Sequence, residues 1–546
     1  MIQSTNNDQL LNNYIWPIIM LVLGMTMVIY QSVGFDLSVM PGTLGDGRFN
    51  NYILEHGYLY LTKGNMSYWN APFFFPEKNV ISYSDNLFGA LPIYVACRWW
   101  VDRETAFQLW YLILTALNFV GAYYALKKLN ITAFSASVGA FIYAFSLILF
   151  IQTIHIQLLP RFAVPLAIVG CYLWLQGDKK YFYVAVLLLV YEFYCAIYLG
   201  YFLTYVIIAM FLIHVIKARK INVIVSLFKT KKDRIRTVVF VCVVLCLLGV
   251  LFYPYYLRSV DANGYSPLLI IGHSQPRMWN YFFVSDKSIL WGWSSLFVKN
   301  HFVQEKFLNG ENYIFIGILP YIFIAAAFFM FRKNTTTRFF LITLLVVFVF
   351  TLSIFGFSLY TYIIHLFPGA MAIRVVSRYI VVALFLWSIL SAFFLDQFLT
   401  HLNKYIKLVV FILPMLLILD NIYIRDADSV LKSTCQKRSM MLVEKYEKLK
   451  HTQPSAKAFM YFFDTDSIKD NRTRIKTAIY KQMDAMMASQ VIGLPCVNGY
   501  SAKPPPDYRD CFISPNERKL RSWLNSNRVQ TTVKEAYSIK DILVLR

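Results

Sequence analysis

Apolar residues run through this chain in unbroken blocks. Tyr14 to Gly34, Val238 to Leu257 and Leu341 to Phe357 are each long enough, or nearly so, to cross about 30 Å of hydrocarbon. With the N-terminus on the cytoplasmic side, spans are expected near 14–34, 106–126, 132–150, 162–176, 180–197, 200–216, 237–257, 312–331, 338–358, 375–397 and 406–424. Lys127-Lys128, Lys179-Lys180, the cluster from Lys217 to Arg236, Arg332-Lys333 and Lys404 with Lys407 then all fall inside, as the positive-inside rule requires. The first block is not expected to be a removable signal peptide, because Asn6, Asn7 and Asp8 precede it and no small-x-small cleavage site follows. Leu87 to Val101 is also apolar, but it ends in Arg98-Trp99-Trp100 and reads as a helix lying on the outer leaflet.

Three stretches remain on the outer side, at 35–105, 258–311 and 425–546. The last is charged, has fewer long apolar runs and contains Pro504-Pro505-Pro506. The fold class expected is an α-helical polytopic membrane protein of about 11 transmembrane helices, with residues 1–424 as the membrane module and 425–546 as a small extracytoplasmic α/β domain. No internal repeat is evident, which argues against transporter folds built from two related halves.

Composition sharpens this picture. The chain has 546 residues, of which 58% are hydrophobic and 15% charged, against about 25% charged in soluble domains. The net charge of +22 would suit nucleic acid if it were gathered on a soluble face. Its densest stretch, Lys217 to Arg236, instead lies between two apolar blocks, where an inner loop belongs. Membrane lipids are therefore expected partners and nucleic acid is not. Cys171, Cys195, Cys242 and Cys246 fall within spans and read as small core residues. Cys496 and Cys511 are a candidate bridge in the tail, which spacing alone does not decide. No Cys/His spacing suggests zinc, and no phosphate-binding glycine loop is present.

The chemistry-bearing residues lie mainly at the outer face. In Pro41-Gly42-Thr43-Leu44-Gly45-Asp46-Gly47, glycines on both sides of Asp46 allow a sharp turn and an accessible carboxylate. That carboxylate is either a general base or cation ligand at a cavity mouth, or an ordinary Asp-Gly turn. Arg374 and Arg378 are four residues apart, a spacing that places both on one face of a helix starting at the outer interface. They suit an anionic phosphate or else snorkel. Asp85 lines a site or caps the helix that follows it. His155, Gln157 and Arg161 line a cavity or satisfy a polar loop. Glu192 is an acid at membrane depth, functional by default or protonated and bonded to a tyrosine. Glu311 caps a helix or faces the cavity. In the tail, Tyr500 and Tyr508 belong to an aromatic, proline-rich loop that can stack on sugar rings or simply close the domain.

This layout resembles the GT-C superfamily of membrane glycosyltransferases, in its bacterial form. The resemblance rests on Gly45-Asp46-Gly47 with the helix-like Phe49–Tyr60, on Trp69-Asn70-Ala71-Pro72-Phe73-Phe74-Phe75-Pro76, and on Ser84-Asp85-Asn86. It extends through Gly121 to Leu126, Ala140 to Ser146 and His155-Ile156-Gln157, to Pro368 through Arg374-Val375-Val376-Ser377-Arg378-Tyr379. It implies a multi-pass protein of the bacterial inner membrane that takes a sugar from a polyprenyl-phosphate donor. The acceptor would be an envelope glycan, lipid or protein on the extracytoplasmic face, and the anomeric centre would invert. Asp46 would be the catalytic base, Arg374 and Arg378 the donor-phosphate ligands, and Glu311 an outer-face acid. Asp46 stands alone between glycines, whereas some subfamilies carry two adjacent acids. No cofactor is therefore certain, although a divalent metal stays open. A polymerase or ligase of lipid-linked polysaccharide, or a lipid or glycan transporter without chemistry, are the competing readings.

Overall fold

A computed structural model describes residues 6–64, 67–218, 222–259, 274–299, 312–331, 333–364, 369–370, 373–401, 412–424, 430–526, 529–530 and 537–546. Among the described residues, seven helices are long and apolar enough to cross a membrane: Tyr14–Val33, Arg103–Lys128, Ala133–Ile154, Ile156–Leu175, Ile197–Lys217, Lys231–Arg258 and Val376–His401. The other four expected spans are shorter as helices: Lys180–Cys195, Ile318–Phe331, Thr335–Thr351 and Leu413–Asn421. The last is preceded by 402–411, outside the described residues.

These helices alternate between two faces. On one face the loops are joined by Thr132 N donating to Asp396 at 2.9 Å, by Lys179 paired with Asp233 at 2.8 Å, and by Tyr172 with Thr336 at 2.9 Å. On the other, Ile197 N donates to Asp85, Ser353 N to Pro276 O, Ser377 N to Ser274 O and Ile424 N to Lys287 O. The first loop, the described part of the middle loop and the end of Leu413–Asn421 thus share the second face. At the centre stand Val376–His401 and Ala133–Ile154, both almost wholly buried. They meet at Gly139, whose carbonyl accepts a 2.6 Å hydrogen bond from Ser388. The Phe88–Arg98 stretch rises only about 16 Å at 1.5 Å per residue, so it does not cross. Trp99 and Trp100 at its end are exposed, as an interfacial anchor would be.

Past the first span, the chain folds back on itself before the helix Asp46–Lys63. Gly42 has φ +87°, and a Cβ at Gly47 would stand 2.9 Å from Pro41 O. Two glycines are therefore required for the turn that presents Asp46. The tail is α/β, as expected: strands Ala458–Tyr461 and Ile542–Leu545 pair in parallel, flanked by helices Lys432–Leu449 and Asn471–Ile492. Cys496 and Cys511 are both free thiols. The bridge considered between them is not formed, and Cys511 Sγ donates instead to Lys519 O.

The tail is seated on the first loop. Arg48 Nη1 meets Asp484 Oδ1 at 2.6 Å with side chains 2% and 3% exposed, and Arg438 approaches the same carboxylate at 2.7 Å. Gln490 Nε2 donates to Tyr52 O at 2.8 Å, and Trp523 Nε1 to Phe75 O at 2.9 Å. Phe74 packs edge-on against Tyr508 at 4.7 Å. Removing one partner of a buried ion pair costs about 3–5 kcal/mol, because the remaining charge stays buried. Asp484→Ala strands Arg48, so the detergent-solubilised variant should unfold at a lower temperature and its tail should be nicked sooner by trypsin. Unchanged melting and digestion would show that the tail does not rest on this contact.

Candidate functional site

Asp46 opens its helix with its main chain fixed on both sides. Its N–H donates to Thr43 Oγ1 at 3.1 Å, and its carbonyl accepts from Asn50 Nδ2 at 2.7 Å. Its side chain is about a third exposed (32%), and Oδ2 lies 3.9 Å from His155 Nδ1. Oδ1 accepts a 2.5 Å hydrogen bond from the Tyr500 hydroxyl. His155 follows the end of the Gln152–Ile154 turn, where the Ala133–Ile154 pass stops. Arg378 Nη2 lies 3.2 Å from both ring nitrogens. Asp46, His155 and Arg378, from three distant parts of the sequence, therefore meet around one imidazole.

Arg374 and Arg378 do not share a helix face. Residues 373–375 are irregular and Val376–Tyr379 is a 3₁₀ turn, with the α-helix starting only at Ile380. Tyr198 joins them instead. Its hydroxyl accepts from Arg374 N at 3.2 Å, and its ring carries the Arg378 guanidinium 4.8 Å from the centroid, a cation–π contact. Nothing in the sequence marked Tyr198, which sits one residue inside an apolar helix beginning at Ile197. Asp85 caps that same helix: its Oδ1 accepts from Ile197 N at 2.8 Å. It caps a helix far along the chain, not the segment immediately after it. Burial pushes the Asp85 carboxyl up to about 6, while the Ile197 N–H and the charges of Arg378 and Arg374 pull it back.

The remaining candidates separate clearly. Gln157 accepts from Asn50 Nδ2 at 3.3 Å, steadying the start of the Asp46 helix. Arg161 turns inward, 1% exposed, donating to Tyr143 O at 3.0 Å with its guanidinium over the Tyr143 ring. With His155 it borders a small cavity of about 30 Å³. Glu192 is fully buried beside Arg161 and the first-turn amides of Ala163 and Val164. It is not bonded to a tyrosine; its neighbours are those amides and the Arg161 guanidinium. Tyr508 cannot stack on a sugar, being 0% exposed with its hydroxyl on Gln482. Glu311 lies outside the described residues.

A divalent cation is poorly served here. Asp46 faces an imidazole and, behind it, a guanidinium, and among the described residues no three His, Cys, Asp or Glu side chains converge. Carboxylate-rich oxygen sets are what hard cations take.

No protein-family model matches this sequence, and no curated protein does. Among solved structures it is similar to an Archaeoglobus fulgidus oligosaccharyltransferase in complex with Zn and sulfate, at 12% identity and a TM-score of 0.45. The match covers 90% of this chain and 64% of that one, so this chain spans less than two thirds of its length. A likeness of that size leaves the function to be read from the chain's own site.

The buried Asp85 gives a pH signature. A carboxyl raised to about 6 is penalised in the fold when ionised, so its contribution to stability falls as pH rises from about 4 through 6. Asp85→Asn keeps an acceptor oxygen for Ile197 N and removes the charge. It should melt higher than the native chain at pH 7.5, with the gain shrinking below pH 6 and vanishing near pH 4. An equal gain at all pH values would show that the Asp85 carboxyl titrates alike in the folded and the unfolded chain.

Proposed function

We propose that this protein is an inverting glycosyltransferase of the extracytoplasmic membrane face, using a polyprenyl-phosphate-linked sugar. The observation that carries the reading is the cluster Asp46–His155–Arg378, with Arg374 held beside it by Tyr198. A base and a cationic anion site meet around one imidazole, at the mouth of a bundle that reaches into lipid.

The chemistry asks for both groups. Sugar C1 is bonded to a phosphate whose lipid tail stays in the bilayer. As the acceptor oxygen attacks C1 from the opposite side, the C1–O bond to phosphate breaks and its electron pair leaves with the phosphate. Arg378 and Arg374 are placed to receive that growing negative charge, as a planar guanidinium fork suits phosphate. Asp46 takes the acceptor proton as the new bond forms. Attack opposite the leaving group inverts the anomeric carbon. His155 touches both groups through Nδ1, at 3.9 Å from Asp46 Oδ2 and 3.2 Å from Arg378 Nη2, and links base to cation.

Asp46→Asn keeps the size and turn preference of the residue while removing the basic carboxylate. In proteoliposomes supplied with a panel of radiolabelled undecaprenyl-phosphate sugars and an envelope extract as acceptor, it should transfer at least about a hundredfold more slowly than the native chain. Arg378→Ala should instead weaken donor binding, by about 1.5–3 kcal/mol for a lost charged contact. Near-native transfer by Asp46→Asn would overturn the assignment of the base.

A further inference from the structure

Tyr500 comes from the tail, 454 residues from Asp46 in sequence, yet it donates to Asp46 Oδ1 at 2.5 Å. The loop that carries it is firmly built. Gln482 Oε1 accepts from Asn498 Nδ2 at 3.0 Å, from Gly499 N at 3.1 Å and from Tyr508 Oη at 3.2 Å. Tyr500 N lies 3.2 Å from Met486 Sδ. Its ring meets Phe49 edge-on at 5.8 Å and stacks with Phe512 at 6.5 Å. At Gly499 a Cβ would stand 2.1 Å from the Phe74 ring, so the loop is pressed directly against the first long loop. The phenol therefore reaches Asp46 from a framework anchored on both partners.

The main-chain bonds of Asp46, to Thr43 and from Asn50, fix where the residue sits but not how its carboxylate is turned. The second side-chain torsion of aspartate is broad and roughly two-fold, so backbone anchoring alone leaves the plane free to rotate. A charge-assisted bond from a rigid phenol removes that freedom. We propose that Tyr500 is a positioning residue: it holds Oδ1, so that Oδ2 faces the His155 side of the site and receives the acceptor proton. The tail is then part of the active site, and a membrane module lacking it has a base of undefined orientation. This inference rests on the reading of Asp46 as the base.

Tyr500→Phe removes one oxygen and keeps the ring contacts, so the variant should fold and melt as the native chain does. Assayed with whichever undecaprenyl-phosphate sugar of the radiolabelled panel the native chain turns over, its kcat should fall at least about tenfold, with donor KM within twofold. Tyr500→Phe combined with Asp46→Asn should be no slower than Asp46→Asn alone, since a residue acting only through Asp46 has nothing left to orient. A merely structural tyrosine would instead lower melting and add its effect to that of Asp46→Asn. Native kcat in Tyr500→Phe, with Asp46→Asn inactive, overturns the positioning role and leaves Asp46 as the base. A raised kcat also overturns it, because the phenol would then be occupying the acceptor's place. Full activity in Asp46→Asn would sink the underlying reading itself.

Discussion

Asp484 sits between two guanidinium groups, with Arg48 at 2.6 Å and Arg438 at 2.7 Å, its own side chain 3% exposed. A carboxylate removed from water to this degree must keep its cationic partners. Arg48 belongs to the first long loop, whereas Arg438 and Asp484 belong to the tail. The electrostatic demand of one buried acid therefore joins loop and tail. Arg48 is also only two residues beyond Asp46, in the first turn of the same helix. Whatever seats the tail sets the position of the exposed carboxylate. Such a triad adds little net stability compared with an apolar replacement. What it supplies is a single relative placement of tail and loop.

The second constraint is where helices stop. His155 follows the end of one pass, Ala196 is extended between two helices, and Val375 is extended before the 3₁₀ turn that carries Arg378. Each break lies on the same face, and each frees backbone groups that lipid could not satisfy. The fold meets that demand with its own polar side chains: Asp85 takes the Ile197 amide and Tyr198 takes the Arg374 amide. Helix ends that need polar partners thus bring Asp85, Tyr198 and the two arginines together. The cationic cluster is a consequence of satisfying those ends as well as, in the proposed function, a place for an anion.

Much of this was legible in the chain. Spans declare themselves because about twenty apolar residues have few other uses, and the basic loops supplied an expected direction. Asp46 was marked by its glycines, and the arginines by their presence on the side where positive charge is disfavoured. Their mutual arrangement was not legible, because an assumed helix through 374–378 is in fact an irregular segment followed by a 3₁₀ turn. Nothing in the sequence set Tyr198 apart from the other aromatics of its apolar helix. The pairs Asp46–Tyr500 and Arg48–Asp484 are separated by 454 and 436 residues, and no local pattern of hydrophobicity, turn or charge encodes a contact at such range. Tyr508 was misjudged for a related reason: a proline-rich loop reads as surface, but it folds against Phe74 and Trp523.

The central claim is that the lipid phosphate and the base lie on opposite sides of one sugar, between Arg378 and Asp46. The most direct measurement is a cryo-electron-microscopy structure of the full chain in nanodiscs with undecaprenyl phosphate bound. The phosphate is expected in contact with the Arg378 and Arg374 guanidinium groups, with the His155 ring moved aside and the sugar between the phosphate and the Asp46 carboxylate. Phosphate density at another part of the molecule, with Arg378 still packed on Tyr198 and His155, would contradict it.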